Sequence, residues 1–388
     1  MMRSPFEPIV RVGLCENEAF GLNPVGSFQI NASENQITYT PLSHDSHMEV
    51  SGMTIGRCFH WQSRCTLRYN GVFMFSKDEN GNSRLVNLIK AEEYLKSVIS
   101  SEMNPDAPSE YLKAHAIISR SWLMRILHHT SILPSLNSKT PQGLISYTQN
   151  DAHSFFDVCA DDHCQRYQGI DPINDQACMA VRDTHSLILV DTDGRIADTR
   201  FSKCCGGTTE LFSTAWNDID FSYLPAKDDP YCDPSILSAE EKTALHKCLK
   251  DYDASTSYYR WQTHIDSALI RQNVISLYGE DPGEILALYP LLTGPSGRIR
   301  EIHIEGSLCS CNIGKELMIR KILSHTHLLS SAFTIHPDAG GFTLRGKGWG
   351  HGVGLCQTGA AVMALRGYTC NEILEFYYPG TRIISYYD

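Results

Sequence analysis

A helical repeat of apolar positions covers Ala91–Met103 and stops at an Asn-Pro pair. Leu95, Val98 and Ile99 precede Glu102 by seven, four and three residues. At about 3.6 residues per turn these positions share one face of a helix. The residue before a proline disfavours helical geometry, so the helix should end there. The pattern therefore predicts a glutamate on the apolar stripe of its helix, in the last turn.

A carboxylate held among apolar side chains has its charged form disfavoured, so we expect the pKa of Glu102 to be raised. A glutamate that stays protonated near neutral pH can act as a general acid. The alternative is a helix-end glutamate that reaches solvent or pairs with a lysine or arginine.

A second helix is predicted over Leu112–Leu127, with Ser109 as its N-cap. Apolar residues on more than one face predict that this helix is buried. Arg120 lies within it, and a buried arginine needs partners. We expect Arg120 either to form a structural ion pair, with Glu102 as one candidate partner, or to bind a substrate.

The segments before these helices have β-type composition, with turns at Asn70-Gly71, predicted to close a hairpin, and at Asn80-Gly81. A hairpin around Asp193-Gly194 is predicted to join Leu187–Val190 to Ile196–Phe201. Periodicity and caps predict further helices and strands. The helices are Ala177–Thr184, Ser238–Lys250, Ser267–Leu277, Lys315–Leu323, Cys356–Arg366 and Asn371–Tyr377, and the strands include Ile9–Leu14, Arg298–Glu305, Phe333–His336, Gly341–Arg345 and Thr381–Tyr386.

The chain of 388 residues is 42% hydrophobic and 20% charged, which is typical of globular proteins and suggests two or three core-forming units. Its net charge of -11, without a long basic run, gives no electrostatic support for nucleic-acid binding. No stretch of about 18 apolar residues predicts a membrane span. No signal peptide is recognised, which predicts a cytoplasmic protein, or one of the cell envelope or periplasm if a leader was removed.

Five glycines alternate with other residues in Gly346–Gly354, around Trp349 and His351. Glycines allow positive φ and close ligand approach. An indole offers a flat apolar face on which sugars stack, and a histidine titrates near neutral pH. We therefore expect both side chains to protrude from the loop towards a ligand. The alternative is a bulged turn whose tryptophan fills the core.

Two histidines and two cysteines follow the second helix with the spacing H-x5-C-x3-H-C: His153, Cys159, His163 and Cys164. Two thiolates and two imidazoles suit a closed tetrahedral Zn²⁺ site. Four protein ligands leave no open position, which favours a structural role. The alternative is a chance cluster, given 14 cysteines and 16 histidines.

A Gly-rich turn, Cys204-Cys205-Gly206-Gly207, is followed by Glu210. Its glycines suit a backbone that lines a cleft. A catalytic thiol is conceivable there, but no histidine or asparagine partner can be assigned from the sequence.

Four blocks of the chain together resemble the stage II sporulation protein D family, which is related to the amidase enhancer LytB. The blocks are Tyr94–Met124 (YLKSVISSEMNPDAPSEYLKAHAIISRSWLM), Arg166–Ile170 (RYQGI), Phe201–Glu210 (FSKCCGGTTE) and Gly346–Ile383 (GKGWGHGVGLCQTGAAVMALRGYTCNEILEFYYPGTRI). They occur in the family's order over nearly the whole chain. In the first block Ala107-Pro108 replaces the family's Trp-Pro, the membrane anchor of sporulation members is absent, and Ser235–Leu291 shows weak likeness.

The resemblance implies a peptidoglycan lytic transglycosylase, which cleaves the bond between N-acetylmuramic acid and N-acetylglucosamine in denuded glycan strands and leaves 1,6-anhydro ends. The family's catalytic glutamate aligns with Glu102. Some members hold zinc with a His/Cys loop where His153, Cys159, His163 and Cys164 lie. The expected substrate-binding residues are Arg120, Ser202, Lys203, Cys205, Gly206, Gly207, Trp349, His351 and Gln357.

The implied architecture is one catalytic unit over 9–388, of the α+β class with mixed β-rich parts and helices around a glycan-binding cleft. A first lobe, about 9–220, would carry the glutamate helix and the His/Cys loop, and a second, about 221–388, the glycine loop. Glycan strands are the expected partner, and an amidase is a further candidate. Two alternatives stay open: a non-catalytic glycan-binding amidase enhancer, and a zinc hydrolase that uses the His/Cys cluster.

Overall fold

Strands alone precede the first helix in the computed structural model, which describes residues 4–16, 18–57, 59, 61–77, 79, 81–104, 107–128, 138–139, 145–146, 153, 155–248 and 257–388. These strands are β1 Ile9–Glu16, β2 Gly21–Val25, β3 Phe28–Ala32, β4 Gln36–Pro41, β5 His47–Ile55, β6 Ser63–Tyr69, β7 Val72–Lys77 and β8 Ser83–Lys90.

Helices and strands are mixed in the rest of the described chain, which confirms the α+β class. The helices are α1 Ala91–Glu102, α2 Ser109–His128, α3 Asp175–Asp183, α4 Phe212–Ala215, α5 Ala239–Cys248, α6 Ser267–Tyr278, α7 Glu316–Ile322, α8 Gln357–Leu365 and α9 Cys370–Tyr377. The strands are β9 Ser138–Lys139, β10 Ile145–Ser146, β11 Val158–Cys159, β12 Leu187–Val190, β13 Phe201–Ser202, β14 Arg260–Asp266, β15 Ile285–Thr293, β16 Ile299–Gly306, β17 Cys311–Gly314, β18 Phe333–Asp338, β19 Gly341–Lys347, β20 Leu355–Cys356 and β21 Arg382–Ser385.

The strands form separate sheets rather than one layer. The largest has the order β11-β1-β8-β7-β4-β3, and a second sheet, β2-β5-β6, also belongs to the N-terminal half. Later strands form the sheets β15-β16-β17-β10-β9 and β14-β19-β18. Two short pairs, β12-β21 and β13-β20, connect the middle of the chain to its C-terminal part.

The turn at Asn70-Gly71 does not close the predicted hairpin. β6 pairs with β5, whereas β7 pairs with β4 and β8, so the turn leads from one sheet to the other. Gly71 has φ +102°, and a Cβ there would lie 2.6 Å from the carbonyl oxygen of Leu88. The position thus needs glycine, but tertiary pairing decides which strands it joins. The second turn joins the antiparallel pair β7-β8; Asn80 itself lies outside the described residues.

The hairpin predicted around Asp193-Gly194 forms only next to its turn. Val190 bridges to Ile196, and the N–H of Ala197 donates to the carbonyl of Leu189 at 3.0 Å. β12 instead pairs along its length with β21, close to the C-terminal residue of the sequence. The local turn signal was therefore right about the turn, but the main strand partner of β12 lies nearly two hundred residues away.

Helix α2 is buried as predicted. Every residue from Tyr111 to Met124 except Lys113 is buried. The helix packs against α1, α3, α9 and β12, which surround it. Across the described residues, no helix combines the length and the apolar character that crossing a membrane requires.

Two hydrophobic clusters form the interior. The larger one combines side chains of the N-terminal sheets, helices α1 to α3 and the segment 349–387. The smaller one lies within 261–344 and joins β14 to β19 with α6 and α7. The clusters therefore do not coincide with the lobes expected at 9–220 and 221–388, because the segment 349–387 packs into the larger cluster. The lobe boundary stays a prediction.

Arg120 forms a buried ion pair, with Glu92 rather than with Glu102. Its guanidinium donates to both carboxylate oxygens of Glu92 at 2.9 and 2.7 Å, and to the carbonyl of Leu187 at 3.1 Å. Arg120 is fully buried. Its predicted substrate contact is therefore corrected to a structural role. Burial alone would raise the pKa of Glu92, but the charge and hydrogen bonds of Arg120 bring it below its usual value.

We expect Arg120→Met to destabilise the fold by about 3–5 kcal/mol, because it leaves the carboxylate of Glu92 buried and uncompensated. Arg182→Met is the matched control: Arg182 forms an exposed ion pair with Asp183, and its loss should change stability by less than about 0.5 kcal/mol. Chemical denaturation of both variants at neutral pH measures the difference. Equal stabilities would contradict the structural role of the pair.

The same pair predicts a pH dependence. Since the folded-state pKa of Glu92 is lowered, its contribution to stability is present above the unfolded value of about 4.3 and is lost as the pH falls through the folded value. Wild type should therefore lose part of its stability over this acidic range, and Arg120→Met should lose less.

Candidate active site

Glu102 ends helix α1 at the edge of an open cleft. Leu95, Val98 and Ile99 are fully buried on the same helix face, and Glu102 is 7% exposed. Its Oε1 accepts a hydrogen bond from the backbone N–H of Arg166 at 3.4 Å. The sequence pattern therefore placed this carboxyl correctly on the apolar stripe, and the tertiary structure gives it access to the cleft.

The cleft has a volume of about 390 Å³ and is lined by tryptophans of the larger hydrophobic cluster and by residues of α7 that belong to neither cluster. That volume lies in the range of roughly 300–1,000 Å³ that is usual for ligand sites. The lining includes Glu102 and the segment 161–166, and it also includes residues of α7 and of the glycine loop. Its described lining includes four tryptophans: Trp61, Trp122, Trp216 and Trp349.

The structure brings most of the predicted site residues together at this cleft. The lining residues that the sequence predicted are Glu102, Ser202, Lys203, Trp349, His351, Gln357 and, from the His/Cys cluster, His163 and Cys164. Three further predicted substrate ligands do not line it: Cys205, Gly206 and Gly207. Cys205 and Gly206 are buried behind the wall, so their predicted contact with substrate is corrected, whereas Gly207 is half-buried and its contact stays a prediction. Cys205 is fully buried, and a Cβ on Gly206 would lie 2.9 Å from the backbone nitrogen of Gly348.

The glycines of the 346–354 loop serve packing against protein rather than against a ligand. Gly352 has φ +75°, and a Cβ there would lie 2.4 Å from the guanidinium carbon of Arg298. Gly354 has φ +71°, and a Cβ there would lie 2.1 Å from the carbonyl oxygen of Arg200. Trp349 is only 7% exposed, so it forms part of the wall and does not protrude as expected.

Arg298, which the sequence analysis missed, holds this loop in place. The side chain is fully buried and donates to the carbonyl of Gly350 at 3.0 Å and to that of Cys205 at 3.2 Å. It also donates to Ser296 Oγ at 2.9 Å, which in turn donates to Glu210 at 2.6 Å. Glu210 is therefore a buried acceptor of this network.

His351 is held in a neutral form. Its Nδ1 accepts a hydrogen bond from the N–H of Val353 at 3.0 Å, and its ring packs edge-on against Trp216. Burial lowers the pKa of His351 well below its usual value, and the charges of Arg200, Arg298 and Arg320 add to that effect. The expected titration near neutral pH is therefore corrected. With Nδ1 as acceptor, the proton resides on Nε2.

The wall formed by Ser202 and Gln357 is polar and partly unsatisfied. Gln357 Nε2 lies 3.1 Å from His115 Nε2, which ties α8 to α2. Burial and the charge of Lys203 lower the pKa of His115 to about 3, so this histidine is neutral. Within the described residues, the buried hydroxyl of Ser202 has no hydrogen-bond partner.

The four residues of the predicted His/Cys cluster meet at one point. The ligand atoms of His153, Cys159, His163 and Cys164 all lie within 4.8 Å of one another, so they could hold a metal ion. His153 Nε2 lies 3.3 Å from Cys164 Sγ, and His163 Nδ1 lies 3.5 Å from it. Hydrogen bonds from Cys164 and both histidines lower the pKa of the Cys159 thiol. Such a thiol readily supplies a thiolate ligand.

Residues 79–190 match the family model described as stage II sporulation protein, and residues 210–354 match a domain of unknown function (DUF8618). An uncharacterized protein of Brachyspira hyodysenteriae is 30% identical over 343 residues, which cover 87% of this chain and 79% of that protein. Stage II sporulation protein D of Bacillus subtilis is 26% identical over 296 residues, covering 76% of this chain and 74% of the relative. The chain belongs to the stage II sporulation protein D family.

The amidase enhancer of Bacillus subtilis is 28% identical over 316 residues. That match covers 75% of this chain but 40% of the enhancer. Within this stage II sporulation protein D family member, the stretch 79–190 contains Glu102 and the His/Cys cluster, whereas 210–354 contains the glycine loop. The cleft is therefore built from both matched regions.

Several cleft residues had not been identified from the sequence. Arg166 lies over the ring of Trp61 at 4.6 Å, and Arg200 lies over that of Trp216 at 4.3 Å. Arg166 belongs to the RYQGI block, so that block could have indicated it. The two tryptophans lie in stretches without any such signal, and only the fold brings them to the cleft.

Removing the guanidinium of Arg298 should destabilise the glycine loop. We expect Arg298→Met to lower stability by about 2–4 kcal/mol, because buried carbonyl groups lose charged donors. Arg345→Met replaces an exposed arginine of β19 and should change stability by less than about 0.5 kcal/mol. Urea denaturation compares the two variants with wild type. A loss in Arg298→Met no larger than that in the control would contradict this account.

Proposed function

We propose that this protein is a lytic transglycosylase of peptidoglycan and that Glu102 is its general acid and base. The observation that carries the proposal is the position of one carboxyl on an apolar helix face, 7% exposed, at the edge of a tryptophan-lined cleft. A sealed carboxyl or one in bulk solvent could not reach a glycan in this way. Its protonation at neutral pH stays a prediction.

The hydrogen bond at Oε1 suggests which oxygen carries the proton. Because the N–H of Arg166 donates to Oε1, that oxygen acts as an acceptor, and Oε2 is the better place for the acidic hydrogen. In the proposed reaction Oε2–H protonates the glycosidic oxygen that leaves C1 of N-acetylmuramic acid. The C1–O bond breaks, and positive charge develops at C1 and the ring oxygen.

The second half of the reaction needs no added water. The 6-hydroxyl of the same sugar attacks C1, and Glu102, now a carboxylate, removes the hydroxyl proton. One carboxyl can serve both halves because the nucleophile belongs to the substrate. This differs from the paired carboxylates of most glycosidases. The product is a 1,6-anhydro end, and the enzyme regains its proton.

The charges of the cleft support a denuded strand as substrate. The chain carries a net charge of -11, yet lysines and arginines outnumber carboxylates among the described lining residues. The cations are Arg57, Arg166, Arg200, Lys203, Arg320 and Lys321, and the carboxylates are Glu102, Asp161, Asp162 and Glu316. Removal of the stem peptide leaves a free carboxylate on the lactyl group of N-acetylmuramic acid. A cationic lining would attract that group.

The cleft wall also offers contacts for sugar hydroxyls and rings. The unpartnered hydroxyl of Ser202 can bond to a sugar hydroxyl, which would satisfy a buried polar group. Tryptophan faces provide apolar surface for pyranose rings.

Glu102→Gln should reduce formation of anhydro products by about 10²- to 10⁴-fold, because the amide cannot donate or accept the catalytic proton. Glu93→Gln is the matched control, since Glu93 lies on the same helix but is exposed. Denuded glycan strands are incubated with each protein, and product masses are determined. Wild-type activity in Glu102→Gln, with the fold intact by circular dichroism, would refute the assignment.

A non-catalytic role as an amidase enhancer is the second candidate, because one relative carries that name. In that case wild type would give no anhydro product. It would bind glycan strands and increase the release of stem peptides by an added amidase. The same incubation with and without an amidase separates the two functions.

We further propose that the His/Cys cluster binds a structural Zn²⁺ ion. Two thiolates and two imidazoles fit a tetrahedral site, and four protein ligands leave no position for a substrate. The ligand Cys164 lies two residues before Arg166, whose N–H donates to Glu102. The ion would thus fix the segment that orients the catalytic carboxyl.

Cys164→Ser should lose this zinc and should melt at a lower temperature than wild type. Cys178→Ser replaces a half-buried cysteine outside the cluster, and it should keep the zinc and the wild-type melting temperature. Zinc is counted by mass spectrometry and melting is followed by calorimetry. The remaining alternative is a zinc hydrolase, and addition of a chelator tests it. If the ion is catalytic, the chelator should abolish activity before the melting temperature falls. If the ion is structural, the melting temperature should fall first.

A further inference from the structure

A second group of side chains that could hold a metal ion lies behind the part of the cleft wall that carries Ser202 and Gln357. Its ligand atoms lie within 4.8 Å of one another, and its members are Cys205, Asp229, Cys232 and Cys356. We call this group the buried cluster. It shares no residue with the His/Cys cluster, and neither the spacing of its members nor the matched family descriptions indicate it.

The buried cluster has the geometry of a preformed ligand set. Cys205 Sγ lies 3.3 Å from Cys232 Sγ and 3.3 Å from Asp229 Oδ2. Cys356 Sγ accepts hydrogen bonds from the N–H groups of Cys205 at 3.3 Å and of Gly359 at 3.4 Å. Backbone donors of this kind stabilise a thiolate and orient it.

The carboxylate is oriented by its own partners. Asp229 Oδ2 accepts from the hydroxyl of Tyr377 at 2.9 Å, and Oδ1 accepts from the N–H of Tyr231 at 3.1 Å. A Cβ on Gly359 would lie 2.6 Å from Asp229 Oδ2, so the glycine makes room for this carboxyl. Outer hydrogen bonds that fix a ligating carboxylate are typical of metal sites.

All four members of the buried cluster are at most 1% exposed. An ionised carboxylate is costly to bury among thiols unless it takes up a proton or a positive charge compensates it. A divalent ion would provide that charge and would satisfy the sulfur atoms at the same time. Three sulfurs and one oxygen form a closed tetrahedral set for a thiophilic ion, of which Zn²⁺ is the common one.

We propose that the buried cluster binds a second Zn²⁺ ion, which holds together three segments that are distant in sequence. Cys205 follows β13, Asp229 and Cys232 lie in the turn at 229–232, and Cys356 ends β20 and caps α8. The chain would therefore carry two structural zinc ions. This inference does not depend on the reaction that the cleft carries out.

The second ion would fix the polar wall of the cleft. β13 and β20 are parallel partners, with Ser202 opposite Cys356. Gln357 follows Cys356 directly and lines the cleft with Ser202 and Lys203. The two ions would thus support two parts of the lining of one site, one beside the segment of Arg166 and one beside Ser202 and Gln357.

A disulfide between Cys205 and Cys232 is the competing arrangement. The Sγ–Sγ distance of 3.3 Å exceeds the bond length of about 2.05 Å. A disulfide would also remove both thiolates and leave Asp229 without a compensating ion. A chain with the disulfide is lighter by two hydrogen atoms than a chain with free thiols, so the intact mass measured without reductant distinguishes the two arrangements.

Zinc content per chain tests the proposal directly. The full chain is purified under reducing conditions and analysed by elemental mass spectrometry. We expect two zinc ions in wild type, one in Cys164→Ser, one in Cys232→Ser and none in the double variant. Cys370→Ser, at a buried cysteine outside both clusters, should keep two.

The single variant Cys164→Ser decides the question even if Cys232→Ser does not fold. Its remaining metal, exchanged for Co²⁺, should show the thiolate-to-cobalt absorption of a tetrahedral thiolate site. Absence of metal from folded Cys164→Ser would overturn the proposal, and so would a non-reduced intact mass lower by two hydrogens. If Cys164→Ser loses only the zinc of the His/Cys cluster, it should still contain one zinc ion per chain, as the proposal expects. These zinc counts do not depend on the proposed transglycosylase activity, so a protein without that activity should give the same counts.

Discussion

The close packing of the 346–354 loop against the turn at 204–207 is the contact on which the cleft depends. Two backbones approach there so closely that a Cβ on Gly348 would lie 2.8 Å from the carbonyl oxygen of Cys204, and a Cβ on Gly206 would lie 2.9 Å from the nitrogen of Gly348. Arg298 satisfies the carbonyls that this packing buries. The contact attaches the C-terminal segment to the first core and leaves β14 to β19 as a separate cluster.

The two sides of the cleft share one design. On one side, a His/Cys cluster lies next to the segment whose backbone N–H donates to Glu102. On the other, the buried cluster lies behind the strands that carry Ser202 and Gln357. In both cases side chains that could hold a metal ion lie beside irregular backbone close to groups that face the cleft. Irregular segments lack the repeated hydrogen bonds of helices and sheets, so cross-links of this kind would replace them.

Charge is distributed unevenly in this molecule. The chain as a whole is acidic, whereas cations predominate among the described lining residues of the cleft. Of two neutral histidines, His351 lines the cleft and His115 lies behind Gln357, and neither adds charge. Some of these cations are paired outside the lining, since Arg57 forms an ion pair with Glu18 and Arg200 forms one with Asp198.

The sequence by itself determined the elements with strong local periodicity: helix α1 with Glu102 on its apolar stripe, the buried helix α2, and the α+β class. It also identified the family, and it grouped the His/Cys ligands, because these signals lie within short stretches of chain. Only the tertiary structure decided that Arg120 pairs with Glu92, that Asn70-Gly71 joins two sheets, and that Cys205 lies behind the cleft wall. Each of these depends on partners far away in sequence, and a local pattern carries no information about which distant segment will pack against it.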